Sequence, residues 1–169
     1  MIISSPLDNY PLIRTRSAEE YREALGQIYA KPGMQLAPST ESFEACINSC
    51  DFPHISLAYG AYSAAVRLEL PEVERFMQLI PIRGGGEITS GGESASLSTN
   101  TSAVISPGTG YHADYAADRE QLALKIDGPA LTEKLAALTG ATLAAFCASR
   151  SANYLSFTLF LDPPLTLNP

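Results

Sequence analysis

Three side chains with metal-binding chemistry stand close together in CINSCDFPH: Cys46, Cys50 and His54. Zinc holds sulfur and nitrogen ligands at about 2.0–2.3 Å. The flanking residues read as a strand, and on a strand a four-residue separation spans roughly 13 Å. The two thiols therefore do not converge, and both cysteines read as buried structural residues. His54 and His112 are the only histidines, and no H-x-H or H-x-x-x-H pair occurs. A metal enzyme of the histidine–carboxylate kind is not expected. GESAS, from Gly92 to Ser96, starts like a nucleophile elbow but ends in serine. It also lies in a hairpin pattern, where the elbow needs a strand-to-helix turn. Nothing local orients His112 as a base, so it reads as a partly exposed histidine after a turn. Asn100-Thr101-Ser102 matches a glycosylation acceptor and reads as a turn.

A different chemistry is suggested by RGGGEITSGGESASLS, Arg83 to Ser98. A phosphate loop places its glycines between a strand and a helix whose N-terminus faces the anion. Here a second strand-like segment follows, and no G-x-x-x-x-G-K-[ST] is present. The glycines are expected to supply the positive φ of tight hairpins. Tyr59, Tyr62, Tyr111 and Tyr115 lie on or beside strand-like segments. Tyrosines at a barrel mouth offer apolar faces with hydroxyls that orient a small molecule. Along RFMQLIPIR, the two-residue period puts Met77, Leu79, Pro81 and Arg83 on one face. Arg83 would end that row at the rim, where a guanidinium can fork to a carboxylate or to paired hydroxyls.

The elements that position these groups follow from periodicity. Residues 1–16 read as an extended arm. SAEEYREALGQIYA reads as a helix with Ser17 and Glu20 in capping-box spacing and a buried stripe of Tyr21, Leu25 and Ile28. Lys31-Pro32-Gly33 should stop it. From Phe43 the period becomes two, in short segments punctuated by glycine and proline. FEACINSC, ISLAYG, AAVRLEL, VERFMQLIPIR, ITSGGESASLS, SAVISPG and REQLALKID point to a sandwich or barrel. In the last, Leu122, Leu124 and Ile126 face one side and Gln121, Ala123 and Lys125 the other. GPALTEKLAALTG reads as a second helix, with Pro129 in its first turn, Leu131, Leu135 and Leu138 as its stripe and Gly140 as its cap.

Bulk properties narrow the function classes. The chain has 169 residues, 46% hydrophobic and 17% charged, which suits one globular domain. Its net charge of −7 disfavours a broad DNA-binding face. No apolar run reaches the roughly 18 residues of a membrane helix. The N-terminus shows no secretory signal, and three cysteines (Cys46, Cys50, Cys147) fit a reducing, cytoplasmic setting.

FMQLIPIRGGGEITSGGESASLSTNTSAVISPGTGYH, Phe76 to His112, resembles the N-terminal sensing domain of AraC-type bacterial transcription regulators. The shared pattern is a strand ending in a glycine turn, a short hairpin, and a later strand ending in Ser106-Pro107-Gly108 before Tyr111 and His112. FPHISLAYGAYSAAVRLELPEVERF and QLALKIDGPALTEKLAALTG fit the same AraC-binding-like pattern, over roughly Phe43 to Gly140. The resemblance implies an α+β, mainly β fold. A cupin-like β-barrel (double-stranded β-helix) would span 43–127, with an arm and helix over 1–42. A helix and tail over 128–169 would lead toward a DNA-binding domain beyond this chain. It implies a small-molecule effector as partner, DNA contact only through that further domain, homodimerisation, and neither catalysis nor a cofactor. The arginine that touches ligand in sugar-sensing members corresponds to Arg83. Their following tyrosine has no counterpart, since Ala113 follows His112, which argues against the same sugar. The ligand-binding set expected is Arg83, Tyr59, Met77, Tyr111 and His112, with no metal site. The main rival reading is a free-standing cupin-like binding protein or enzyme, and a third is a pure dimerisation module with a vestigial pocket.

Overall fold

The computed structural model describes residues 5–29, 32–36 and 43–139. In chain order the elements are β1 (Pro11–Thr15), α1 (Ala18–Ile28), β2 (Gly33–Leu36), β3 (Ala45–Asp51), β4 (Ile55–Tyr62), β5 (Val66–Leu70) and β6 (Phe76–Arg83). They continue with β7 (Gly86–Ser90), β8 (Glu93–Leu97), β9 (Ala103–Ile105), β10 (Tyr111–Tyr115), β11 (Arg119–Ile126) and α2 (Gly128–Thr139). The strands form two antiparallel sheets, β1-β3-β4-β11-β6-β9 and β2-β5-β10-β7-β8. Two such sheets, with an N-terminal helix and a helix after the last strand, make the expected mainly β, cupin-like fold. They meet as a sandwich and are not joined edge to edge.

Alternation decides which side chains meet between the sheets. Val66, Leu68 and Leu70 of β5 and Tyr111, Ala113 and Tyr115 of β10 are buried, while the intervening residues of both strands are exposed. From the six-stranded sheet come Ile47, Ala58, Tyr62, Met77, Leu79 and Ala123. α1 adds Tyr21, Ala24 and Leu25 to the same cluster, and Ile28 packs at its edge. Ser17 caps α1 by accepting from Glu20 N–H at 3.3 Å, as the capping-box spacing predicts. The helix ends at Ile28, before Lys31, because Tyr29 turns to extended backbone. Of the α2 stripe, Leu131 and Leu135 are half-buried and Leu138 is 71% exposed. Gly140 and Cys147 lie outside the described residues.

The seven strand-like segments of the sequence all carry strands, and ITSGGESASLS carries the β7–β8 hairpin. β2 and β10 are additional, and so is β1, which the sequence presents only as an extended arm. β1 pairs with β3 and becomes the edge of the larger sheet. Cys46 and Cys50 sit on β3 and are half-buried, not fully buried as their type suggested. Burial pushes the Cys46 thiol up, with Arg14 partly opposing, so it is a weak nucleophile.

The β7–β8 turn is a two-residue loop with both glycines at positive φ, 56° at Gly91 and 87° at Gly92. That backbone matches the twist of a tight hairpin. It also accounts for the glycine run without any phosphate. Gly92→Val is expected to destabilise the protein by about 1 kcal/mol or more, since valine resists that φ. The space around Gly92 is open, so strain alone acts there. An unchanged urea midpoint would count against this account.

Candidate functional site

β11 is the strand whose inward row is polar. Pairing with β4 and β6 aligns Leu122 with Tyr59 and Ile80 on the outer face, and Gln121 with Gly60 and Pro81 on the inner face. The inward residues of β11 are therefore Arg119, Gln121, Ala123 and Lys125. Arg119 has no exposed surface and Gln121 is 8% exposed. Gln121 Oε1 accepts from both Nε and Nη2 of Arg119, at 3.1 and 3.0 Å. The guanidinium carbon lies 4.1 Å from the centroid of the Tyr115 ring, a cation–π stack. Tyr62 packs against Tyr115 at 6.3 Å and against Tyr21 of α1 at 6.1 Å.

Three polar atoms in this cluster are buried without a hydrogen-bond partner: Arg119 Nη1, Tyr62 Oη and Tyr115 Oη. Tyr115 Oη lies near the side chains of Gln121 and Tyr111 but makes no hydrogen bond of ordinary geometry to them. A buried polar group without a partner costs about 1–3 kcal/mol. Three in one cluster mark unused binding capacity between the sheets.

Small residues make room around the rings. Ala58, Gly60, Ala113 and Ala123 all face inward, and a cavity of about 20 Å³ remains beside Gln121, Ala123 and Tyr21, space for one water molecule. At the far end of the β11 row a larger cavity of about 420 Å³ opens between Tyr29, Ser56, Leu70, Val73, Met77 and Lys125. Lys125 Nζ donates to Ile28 O at 2.9 Å, and burial pulls its pKa down. Arg75 stands at the same mouth, held by Asp127 at 2.8 Å and by Ser56 Oγ at 3.2 Å.

The five residues nominated from sequence do not come together. Met77 (1% exposed) and Tyr111 (2%) face the interior, and Met77 lines the larger cavity. Arg83 is on the outer face. Its row-mates Met77, Leu79 and Pro81 point inward, but the β6–β11 register slips between Gln121 and Glu120, so Arg83 pairs with outward Glu120. Arg83 Nη2 lies 3.1 Å from Glu120, and its Nε donates to Asp118 O at 3.2 Å. Tyr59 is buried on that outer face, opposite Asn48, whose amide donates to Pro6 O at 2.8 Å in the N-terminal segment. Tyr59 Oη donates to the same Glu120 at 2.9 Å. Burial first, then that bond, pushes the Tyr59 phenol up. Tyr59, Glu120 and Arg83 are thus one chain of contacts outside the sandwich. His112 is exposed on the outer face of the other sheet. The sequence does not single out Arg119 and Gln121. The alternation of REQLALKID shows that they share a face, but not that the polar face is the buried one.

The AraC-binding-like domain family matches residues 21–162. The chain belongs to this family. No curated protein matches the sequence. Among solved structures, this AraC-binding-like domain is similar to the AraC-like transcriptional activator CuxR, with TM-score 0.61 and 13% identity over 81% of this chain. It spans 57% of the CuxR chain. The cupin domain of Schizosaccharomyces pombe Cnp3 aligns over 54% of this chain and 70% of its own, at 10% identity and TM-score 0.45. KdgF from Halomonas sp. aligns over 54% and 86%, at 17% identity and TM-score 0.43. What is shared with CuxR at this identity is the fold. In the AraC-binding-like domain described here, no helix among the described residues is long and apolar enough to cross a membrane.

Proposed function

We propose that this AraC-binding-like domain senses a small organic effector between its two sheets, as the regulatory part of an AraC-type transcription regulator. The carrying observation is that three unpartnered buried polar atoms belong to side chains packed on one another, Arg119 stacked on Tyr115 and Tyr115 beside Tyr62, among small residues. Binding sites for small molecules combine such apolar walls with a few convergent polar groups. In this reading DNA is contacted by a helix-turn-helix part beyond these residues, and the protein acts as a cytoplasmic homodimer. The net charge of −7 supports leaving DNA to another part. In this reading the domain catalyses nothing.

A thermal-shift screen of sugars, aromatic alcohols, amines and organic acids tests the reading. At least one compound is expected to raise the melting temperature saturably. Tyr62→Phe removes one orphan hydroxyl and little else. It should fold normally and weaken that compound by roughly two- to tenfold, the worth of one neutral hydrogen bond. A screen without any saturable response, or a response that Tyr62→Phe leaves untouched, overturns the proposal.

A further inference from the structure

We infer that the group recognised between the sheets is a carboxylate, held by Arg119. The inference rests on the proposed sensing role and names the chemistry of its ligand.

Charge balance carries the argument. Seven arginines lie among the described residues, and six have a carboxylate partner: Arg14 with Asp8, Arg16 with Glu44, Arg22 with Glu19, Arg67 with Asp114, Arg75 with Asp127 and Arg83 with Glu120. Arg119 is the seventh. It is the fully buried one, and no acid among the described residues pairs with it. This inverts the expected order, because exposed arginines need partners least. A guanidinium does not shed its proton in a protein, so the charge stays. A buried charge without a counter-charge is among the costliest arrangements a fold can hold. The Tyr115 ring and the neutral Gln121 amide soften that cost without cancelling the charge.

The unused geometry points the same way. Gln121 Oε1 takes the Nε–Nη2 edge of the guanidinium, and Nη1 is left unpartnered. An oxyanion accepts readily from such an edge. Tyr62 Oη and Tyr115 Oη are two further unpartnered buried groups in the same cluster, and Arg119 acts electrostatically on both phenols. One buried positive charge matches one negative charge. A carboxylate restores neutrality, whereas a phosphate monoester would leave excess negative charge among buried rings. The larger cavity at Lys125 is lined by acids as well as cations, Asp51, Glu72 and Glu74 among them, and selects no charge.

Formate serves as the carboxylate alone, benzoate and benzamide as a matched charged and neutral pair, and inorganic phosphate as the competing oxyanion. Each is titrated into the full chain at constant ionic strength. Melting temperature and tyrosine emission are followed, the latter unobscured because the chain has no tryptophan. Formate and benzoate are expected to raise the melting temperature saturably, benzamide to leave it unchanged, and phosphate to bind more weakly than formate. Arg119→Gln should weaken benzoate by roughly tenfold or more and abolish its advantage over benzamide. If that variant does not fold, the benzoate–benzamide comparison on the unaltered protein decides the matter. Equal responses to benzoate and benzamide, no response to either carboxylate, tighter binding of phosphate, or an Arg119→Gln protein that binds benzoate normally each overturn the assignment. Neutral compounds that bind through Tyr62 while carboxylates do not would refute the carboxylate and leave the sensing role standing.

Discussion

Above pH 10 the protein is expected to unfold cooperatively, with the phenolate absorbance of its buried tyrosines appearing together with the loss of secondary structure. Tyr21, Tyr62, Tyr111 and Tyr115 are all at most 4% exposed, and their rings fill the space between the sheets. Burial is the largest cause pushing each of these phenols up. Tyr115 is pushed to about 12, with Arg119 over its ring holding it back. Tyr21 is raised further, and Tyr62 and Tyr111 are raised well above their ordinary value. In the unfolded chain a tyrosine titrates near its ordinary value of about 10. The folded state therefore binds more protons in this window, and stability falls as pH rises. The contribution is fully present below pH about 10 and is lost as pH climbs through the folded value; for Tyr115 alone the loss is about 2 kcal/mol by pH 12. The other three add in the same direction, against a total stability of about 5–15 kcal/mol for an ordinary domain. Lys125 acts in the opposite direction, because burial lowers its pKa and the folded state then binds fewer protons below its unfolded value. Parallel circular dichroism and ultraviolet titrations check the result. Several phenolates per chain forming near pH 10 without loss of structure would show that these rings are not sealed in.

Gly110→Ala is expected to destabilise the protein by about 3 kcal/mol or more, at or beyond the upper end of ordinary overpacking. A Cβ at Gly110 would stand 2.8 Å from Leu70 O and closer still to the carbonyl of Pro71. Both obstacles are backbone. The surrounding loop has little freedom to move aside: Ser90 Oγ donates to Gly110 O at 2.6 Å, and Val73 exchanges bonds with Thr109 O at 3.0 Å and Gly108 N–H at 2.9 Å. The close approach brings β10 alongside β5, and with it Tyr111 and Tyr115 into the interior. Gly26 is the control, since a Cβ there meets nothing within 4 Å and alanine favours the helix. Denaturant unfolding of both variants tests the contrast. A Gly110→Ala midpoint equal to that of Gly26→Ala would refute it.

Local signals carried far along this chain. The Ser17 cap, the Tyr21–Leu25 stripe, the period-two segments and the Gly91-Gly92 turn each depend on a few neighbouring residues, and each is found in place. β10 does not stand out in the sequence although Tyr111, Ala113 and Tyr115 alternate inward, because His112 and Asp114 make the segment polar on average. The family pattern in Phe76 to His112 was equally legible, since it is an order of turns and strands.

Site assembly is a different matter. Arg83 shares a two-residue period with Met77, and one slip in the β6–β11 register carries it outward to Glu120. Tyr59 is buried on the outer face, opposite Asn48, which bonds Pro6 more than forty residues earlier in the chain. By alternation alone the leucine row of β11 would claim the core. Its neighbours decide otherwise: β4 and β6 send Ala58, Gly60, Met77 and Leu79 inward, and the ladder forces Arg119, Gln121 and Ala123 to follow. The sequence by itself thus determined the elements, their order and the family, because helix caps, turns and strand periods are short-range. Which face of each strand is interior, and so which arginine is buried without a partner, was decided only by tertiary structure, because strand register is set by pairing between residues far apart in the chain.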